Sequence, residues 1–189
     1  MAILTPRGVP GALSLGPGQL YIAALGTTEP TDLTTAWAAV SANWVMLGYT
    51  DAASEFRYQP ATEDVDVAEE LDPISTQTTG RTSTISFSLA QNTATNLKRA
   101  MNGGTITAGG GIVTFEPPDL GTEIRTMLGF ESEDSQERWV FRQCYQQGDI
   151  TLTRGKGAAK VLIPCEFRLE KPVTGLRLFK AIFASANRS

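Results

Sequence analysis

Histidine is absent from all 189 residues. That removes the side chain most often used as a general base and metal ligand near neutral pH. It also rules out a Ser-His-Asp relay. Cysteine is scarce: Cys144 and Cys165 are too few for a disulfide scaffold or for a zinc site of their own. Both sit in apolar, strand-like runs, where a free buried thiol is expected. The glycine runs between Gly103 and Gly111 lack the Lys-Ser/Thr of a phosphate loop and follow a helical stretch instead of a strand. The acidic run 63–72 offers carboxylates to a hard cation but has neither the spacing nor the turn glycine of a calcium loop. No pair of carboxylates is singled out for acid-base work. The expectation is a protein that is not an enzyme and carries no catalytic residue, metal or cofactor. No apolar run is long enough to cross a bilayer. The opening MAILTPRGVPGALSLGPG lacks the apolar core of a signal peptide. No membrane association is expected, and synthesis in a reducing cytoplasm is.

What is present suits one domain with a real core: hydrophobic residues make up 41% of the chain. Eighteen glycines, ten prolines and recurring Ser/Thr-rich runs point to a mostly β protein with many turns. The net charge of -4 is the wrong sign for tight binding to a nucleic acid backbone. The charge is also uneven. Residues 1–137 hold 6 basic and 17 acidic side chains, and residues 138–189 hold 10 and 3. Such a split arises by chance or supplies opposed faces for self-stacking.

The most informative stretch is RTSTISFSLAQNTATNLKRAMNGG, residues 81–104. Ser83, Ile85, Phe87 and Leu89 alternate with Thr82, Thr84, Ser86 and Ser88, which predicts a strand with one face on a core. Asn92 or Thr93 can cap a following helix. Its apolar stripe is Ala94, Leu97, Ala100 and Met101, with Leu97 as the anchor on a sheet. Asn102-Gly103-Gly104 should stop it, with Gly taking positive φ. Around this unit the pattern predicts strands at 19–25, 44–50, from 55, 105–107, 112–115, 123–129, 138–145, 149–154, 160–169 and 173–183. A short helix is expected from Thr31 or Asp32 to Trp37, and a hairpin connection at 51–53. Residues 73–80 read as a polar connection. Pro164 implies an edge or a bulge. The domain expectation is an arm at 1–18, a β-sandwich domain at 19–184 and a short tail at 185–189.

Two segments stand out as candidates for contact. The arm is rich in Gly and Pro yet carries Ile3, Leu4, Val9, Leu13 and Leu15. It docks on a neighbour or packs on its own domain. The run EDVDVAEELD, residues 63–72, is acidic at six of ten positions. In an extended chain Asp64 and Asp66 share one face, and Val65 and Val67 the other. The alternation fails after Glu69, so Glu69, Glu70 and Asp72 read as loop acids. Charge of this kind also protects an ordinary exposed hairpin from unwanted pairing.

The stretches GQLYIAALGTTEPTDL (18–33), LGYTDAASEF (47–56) and SFSLAQNTATNLKRAMNGG (86–104), with the later run 139–169, together resemble the major tail tube proteins of long-tailed, non-contractile bacteriophages, particularly those of actinobacterial hosts. The resemblance covers most of the chain and rests on order and spacing. Where the family often has Gly after the LGYT-like strand, this chain has Ala52 and Ala53. The resemblance implies a β-sandwich or barrel with one flanking helix, forming six-membered rings that stack head to tail into a virion tail tube. It implies partners as well: a tape measure protein inside during assembly, a tail terminator and a distal tail protein at the ends, and DNA that passes without specific binding. It implies a commonly acidic lumen, for which Asp64 and Asp66 are the candidates, with Glu69, Glu70 and Asp72 as candidates for contacts between rings. Alternatives are a tail terminator, a head-tail connector, another minor virion protein such as a baseplate or capsid decoration subunit, and a non-viral carbohydrate-binding module.

Overall fold

Alternation dominates the folding of this chain. In the computed structural model, which describes residues 18–65, 72, 74–156, 160–173 and 175–184, ten strands and two short helices are present. They are β1 (Gly18–Ala24), α1 (Trp37–Val40), β2 (Val45–Met46), β3 (Thr50–Val65), β4 (Ser75–Leu89), α2 (Ala94–Ala100), β5 (Thr105–Gly109), β6 (Ile112–Glu116), β7 (Thr126–Ser132), β8 (Glu137–Gln146), β9 (Ile163–Leu169) and β10 (Phe179–Phe183). The fold is mainly β and antiparallel, as the sequence predicts.

Eight strands form one sheet in the order β2-β1-β7-β8-β9-β4-β3, with β10 added beside β8. Strand β8 is the fork. One flank pairs with β7, and the other is shared between β10, along Glu137–Phe141, and β9, along Cys144–Gln146. The fork lets the sheet fold over its own apolar face. Phe56 of β3 thereby meets Trp139 and Phe141 of β8 and Phe179 of β10, at ring-centroid distances of 5.4, 5.3 and 5.2 Å. Between the two layers lie Leu20, Ile22, Ile85, Phe87, Leu89, Leu128, Ile163, Cys165 and Phe167, all buried. This is a two-layer β core of sandwich type.

The other face of β1, β7 and β8 is also covered. Ala23, Met127 and Val140 pack under Trp37 and Trp44, all of them buried. Trp37 stacks on Tyr21 at 4.6 Å and meets Trp44 edge-on at 4.7 Å. Gly129 of β7 makes room for this: a Cβ there would stand 2.4 Å from the Trp37 ring.

Several local expectations are corrected. The 44–50 stretch holds only the two-residue strand β2. Trp44 and Leu47 are both buried while Val45 and Met46 are exposed, a spacing of three that alternation cannot produce. Residues 51–53 are not a hairpin connection but part of β3, where a register shift between Asp51 and Glu55 absorbs the irregularity. Residues 75–80 are strand, because β3 runs on and supplies a partner for a polar segment with no apolar period of its own. The first helix begins at Trp37, not at 31 or 32. The Asp32 carboxylate instead accepts the Thr34 and Thr35 amides at 2.8 and 2.6 Å and closes a turn. Residues 149–154 form no strand, although Ile150 and Leu152 pack against the core. Pro164 sits where β9 pairs with β4 alone, so its missing donor falls on an open flank.

Helix α2 matches its predicted caps. Thr93 accepts from the Asn96 amide at 3.2 Å, and Lys98 and Arg99 occupy the last turn. Its end is a Schellman turn: Gly103 N–H donates to Lys98 O at 2.8 Å and Asn102 N–H to Arg99 O at 3.4 Å. Asn102, not glycine, takes the first left-handed position, with φ 54°. Its side chain explains the choice. Nδ2 donates to Gln146 O at 2.7 Å, and Oδ1 accepts from Gln146 N–H at 2.9 Å, so the amide caps the end of β8 as a further strand residue would.

Candidate assembly surfaces

The charge split in the sequence is partly spent inside the fold. Arg138 pairs with Glu131 at 2.9 Å, Arg142 with Glu29 at 2.5 Å, and Lys160 with Asp51 at 2.5 Å, each joining an acid from the first part of the chain to a base from the last. The first two strap the loop after β1 onto β8. The Arg138 guanidinium also donates to the carbonyls of Asp32 and Thr35, and Glu131 accepts the Trp37 indole N–H at 2.6 Å. Lys180 of β10 donates to Pro30 O at 2.9 Å. Asp32, held by the Thr35 and Thr34 amides and hydroxyls, has its pKa lowered to about 2. Sequence reasoning missed this cluster. Its members lie about a hundred positions apart, and no local period connects them.

Little here does chemistry. Cys144 and Cys165 are buried free thiols, and burial raises both, Cys165 to about 12. They are therefore protonated and inert near neutrality. Among the described residues no group of three or more His, Cys, Asp or Glu is placed to hold a metal.

The exposed elements are more informative. Strands β3 and β4 pair from Thr50/Leu89 to Val65/Ser75, but β9 covers β4 only over Thr84–Leu89. Beyond that point the two strands stand out as a ribbon, and residues 59–64 and 75–82 are exposed on both faces. Asp64 lies near the far end, exposed, accepting from the Thr76 hydroxyl at 2.7 Å. Its neighbour Glu63 faces the opposite way, across from Gln77. Asp72 and Ile74 are exposed beside the tip. Asp66, Glu69 and Glu70 lie outside the described residues, as do Ile3, Leu4, Val9, Leu13 and Leu15 of the arm and the tail at 185–189. The structure thus brings Asp64 and Asp72 to one end of the ribbon and does not place the other acids.

Leu97 is half-buried, packed against the main core, while Asn96 and Ala100 are the buried residues of α2. The hairpin β5–β6 lies against this helix, turning through Gly110 and Gly111 at φ 60° and 79°. These are the positive angles that a two-residue hairpin turn requires. Its Ile112 and Val113 are exposed. A cleft of about 590 Å³ opens beside the end of β9, lined by Arg81, Tyr145, Arg168, Leu169, Lys171 and Leu178 among others.

A β-sandwich without a reactive constellation among its described residues, from which a paired ribbon projects, is a structural module built for association. The comparisons give that class its family. A family model described as phage tail tube protein matches residues 12–160, well over half of the chain. The chain belongs to the phage tail tube protein family, and is thus a structural subunit of a virion tail that assembles with others into a tube. No curated protein matches it.

Proposed function

We propose that the chain forms six-membered rings that stack head to tail into the tail tube of a long-tailed, non-contractile phage, with a central channel for DNA. The observation that carries this reading is the β3–β4 ribbon, exposed on both faces. A two-stranded ribbon is marginal in water by itself, so one of this length is built to be held between subunits. On this reading the tape measure protein fills the channel during assembly, and a terminator and a distal tail protein close the two ends. The subunit waits in the host cytoplasm until then.

Asp64 and Asp66 are proposed to face the channel. A basic wall would add an adhesive contribution for each phosphate it neutralised, whereas carboxylates repel the DNA backbone and let it slide. Support comes from the exposure of Asp64 and from strand alternation, which puts Asp66 on the same side. Electron microscopy of the purified protein tests the reading. Six-fold rings and hollow tubes are expected, with Asp64 on the inner wall. A chain that stays monomeric at high concentration refutes the tube. Tubes with Asp64 on their outer surface refute the channel assignment alone.

A further inference from the structure

The end of the ribbon carries two acids and two apolar side chains on described residues. Glu63 and Asp72 supply the charge, and Val65 and Ile74 the apolar surface, with Ile74 57% exposed. Ile74 N–H donates to Val65 O at 3.1 Å, which keeps the two apolar residues together. Across the same sheet, the cleft at the end of β9 offers the converse. Its floor is Leu169 and Leu178, both buried, with Tyr145 partly so. Its rim carries Arg81, Arg168 and Lys171, all exposed, whose side chains make no ion pair or hydrogen bond among the described residues. The one carboxylate in the lining, Glu170, is already engaged by Arg125 at 3.1 Å and by Gln143 at 3.0 Å. The Gln143 bond, first, and then Arg125 hold its pKa below the usual range.

We infer that the ribbon tip of one copy docks in this cleft of another copy, with Val65 and Ile74 on the apolar floor and Glu63 and Asp72 among the three cations. The occupant is a second copy and not the same chain. Arg81 stands at the root of the chain's own ribbon, and the six residues from Arg81 to Ser75 carry its tip about 20 Å away. Opposed charges fix which surfaces meet, and the apolar pair supplies contact that salt does not screen. Glu63 and Asp64 point to opposite faces of the ribbon, so one side can serve this contact while the other faces the channel.

The inference rests on the tube reading, and the experiment separates the two. The critical concentration for tube formation is measured by sedimentation for four proteins: wild type, Glu63→Lys/Asp72→Lys, Arg168→Glu/Lys171→Glu, and the combination of all four. Each reversed pair should raise the critical concentration about tenfold or more, and the combination should return it to within about threefold of wild type. Ile74→Ser should also raise it, with the salt dependence unchanged. All these positions are exposed, so thermal unfolding of the monomers should be unaltered. If wild type forms no tubes, the tube reading fails. If wild type forms tubes and the reversed pairs assemble equally well, this inference alone fails, and the acids merely keep the ribbon soluble. A combination no better than its worse parent also overturns it, because the cleft then holds some other segment.

Discussion

Replacement of Asn102 gives the sharpest test of how the helix is tied to the sheet. The residue answers two demands at once: a positive φ of 54° and a side-chain amide that closes both backbone groups of Gln146. Both residues are buried, at 8% and 5% exposure, so water does not readily replace what is lost. Asn102→Gly keeps the backbone angle but orphans one N–H and one C=O. At roughly 1–3 kcal/mol for each unsatisfied buried group, offset by about 1 kcal/mol of relief at the left-handed position, the net cost is about 2–4 kcal/mol. Asn102→Ala loses the same bonds and gains no relief, so it should be worse by about 1 kcal/mol. Asn102→Asp is the diagnostic variant. One oxygen still accepts from Gln146 N–H, but the other faces Gln146 O, which favours the protonated acid, able to donate. The folded pKa of that carboxyl should therefore rise above its unfolded value of about 3.9. A raised folded pKa means that the stability is present below the unfolded value and is lost as pH rises through the folded one. Asn102→Asp should accordingly approach wild type near pH 3 and fall behind it towards pH 7. Urea unfolding followed by tryptophan fluorescence, at concentrations where the chain is monomeric, measures all three. A cost below about 0.5 kcal/mol for Asn102→Gly, or no pH dependence of the Asp variant relative to wild type, would refute the reasoning.

Other outcomes follow from the same geometry. Gly129→Ala places a methyl 2.4 Å from the Trp37 ring and should cost about 1–3 kcal/mol, with a change in near-ultraviolet circular dichroism as Trp37 leaves Tyr21. Leu97→Ala should cost about 1–2 kcal/mol by thermal unfolding, less than a fully buried leucine, because Leu97 is half-buried; a loss below about 0.5 kcal/mol would place it outside the core. The Asp32 carboxyl should titrate near pH 2 by NMR. Its pKa is depressed, so the turn at 32–35 should persist through the ordinary carboxylate range and loosen only as pH falls through about 2; a midpoint near 4 would mean that its bonds to Thr34 and Thr35 do not persist in solution. Deleting residues 2–15 should leave a folded monomer by circular dichroism that forms no long tubes, and normal tubes would show that the arm is dispensable.

Local chemistry made much of this protein legible from sequence. The alternation of Ser83, Ile85, Phe87 and Leu89 determined a strand and its buried face, and Thr93 and Asn102-Gly103-Gly104 determined both ends of one helix. The absence of histidine and the burial of two lone thiols could be read in the same way, because periods and caps are set by neighbours a few residues apart. What lies between distant residues was decided only by the tertiary structure. Residues 75–80 have no apolar period, and they are strand because β3 runs alongside them. Trp44 and Leu47 are buried together because a short strand and a loop wrap β1. Arg138, Glu131, Trp37 and the Asp32 turn meet only once the sheet has formed, and so a charge split that looked free to act between copies is partly neutralised within one. Sequence sets the pattern along each strand, where interactions are short in chain length. Which strands become neighbours depends on how the sheet folds at β8, and that is a property of all the strands together.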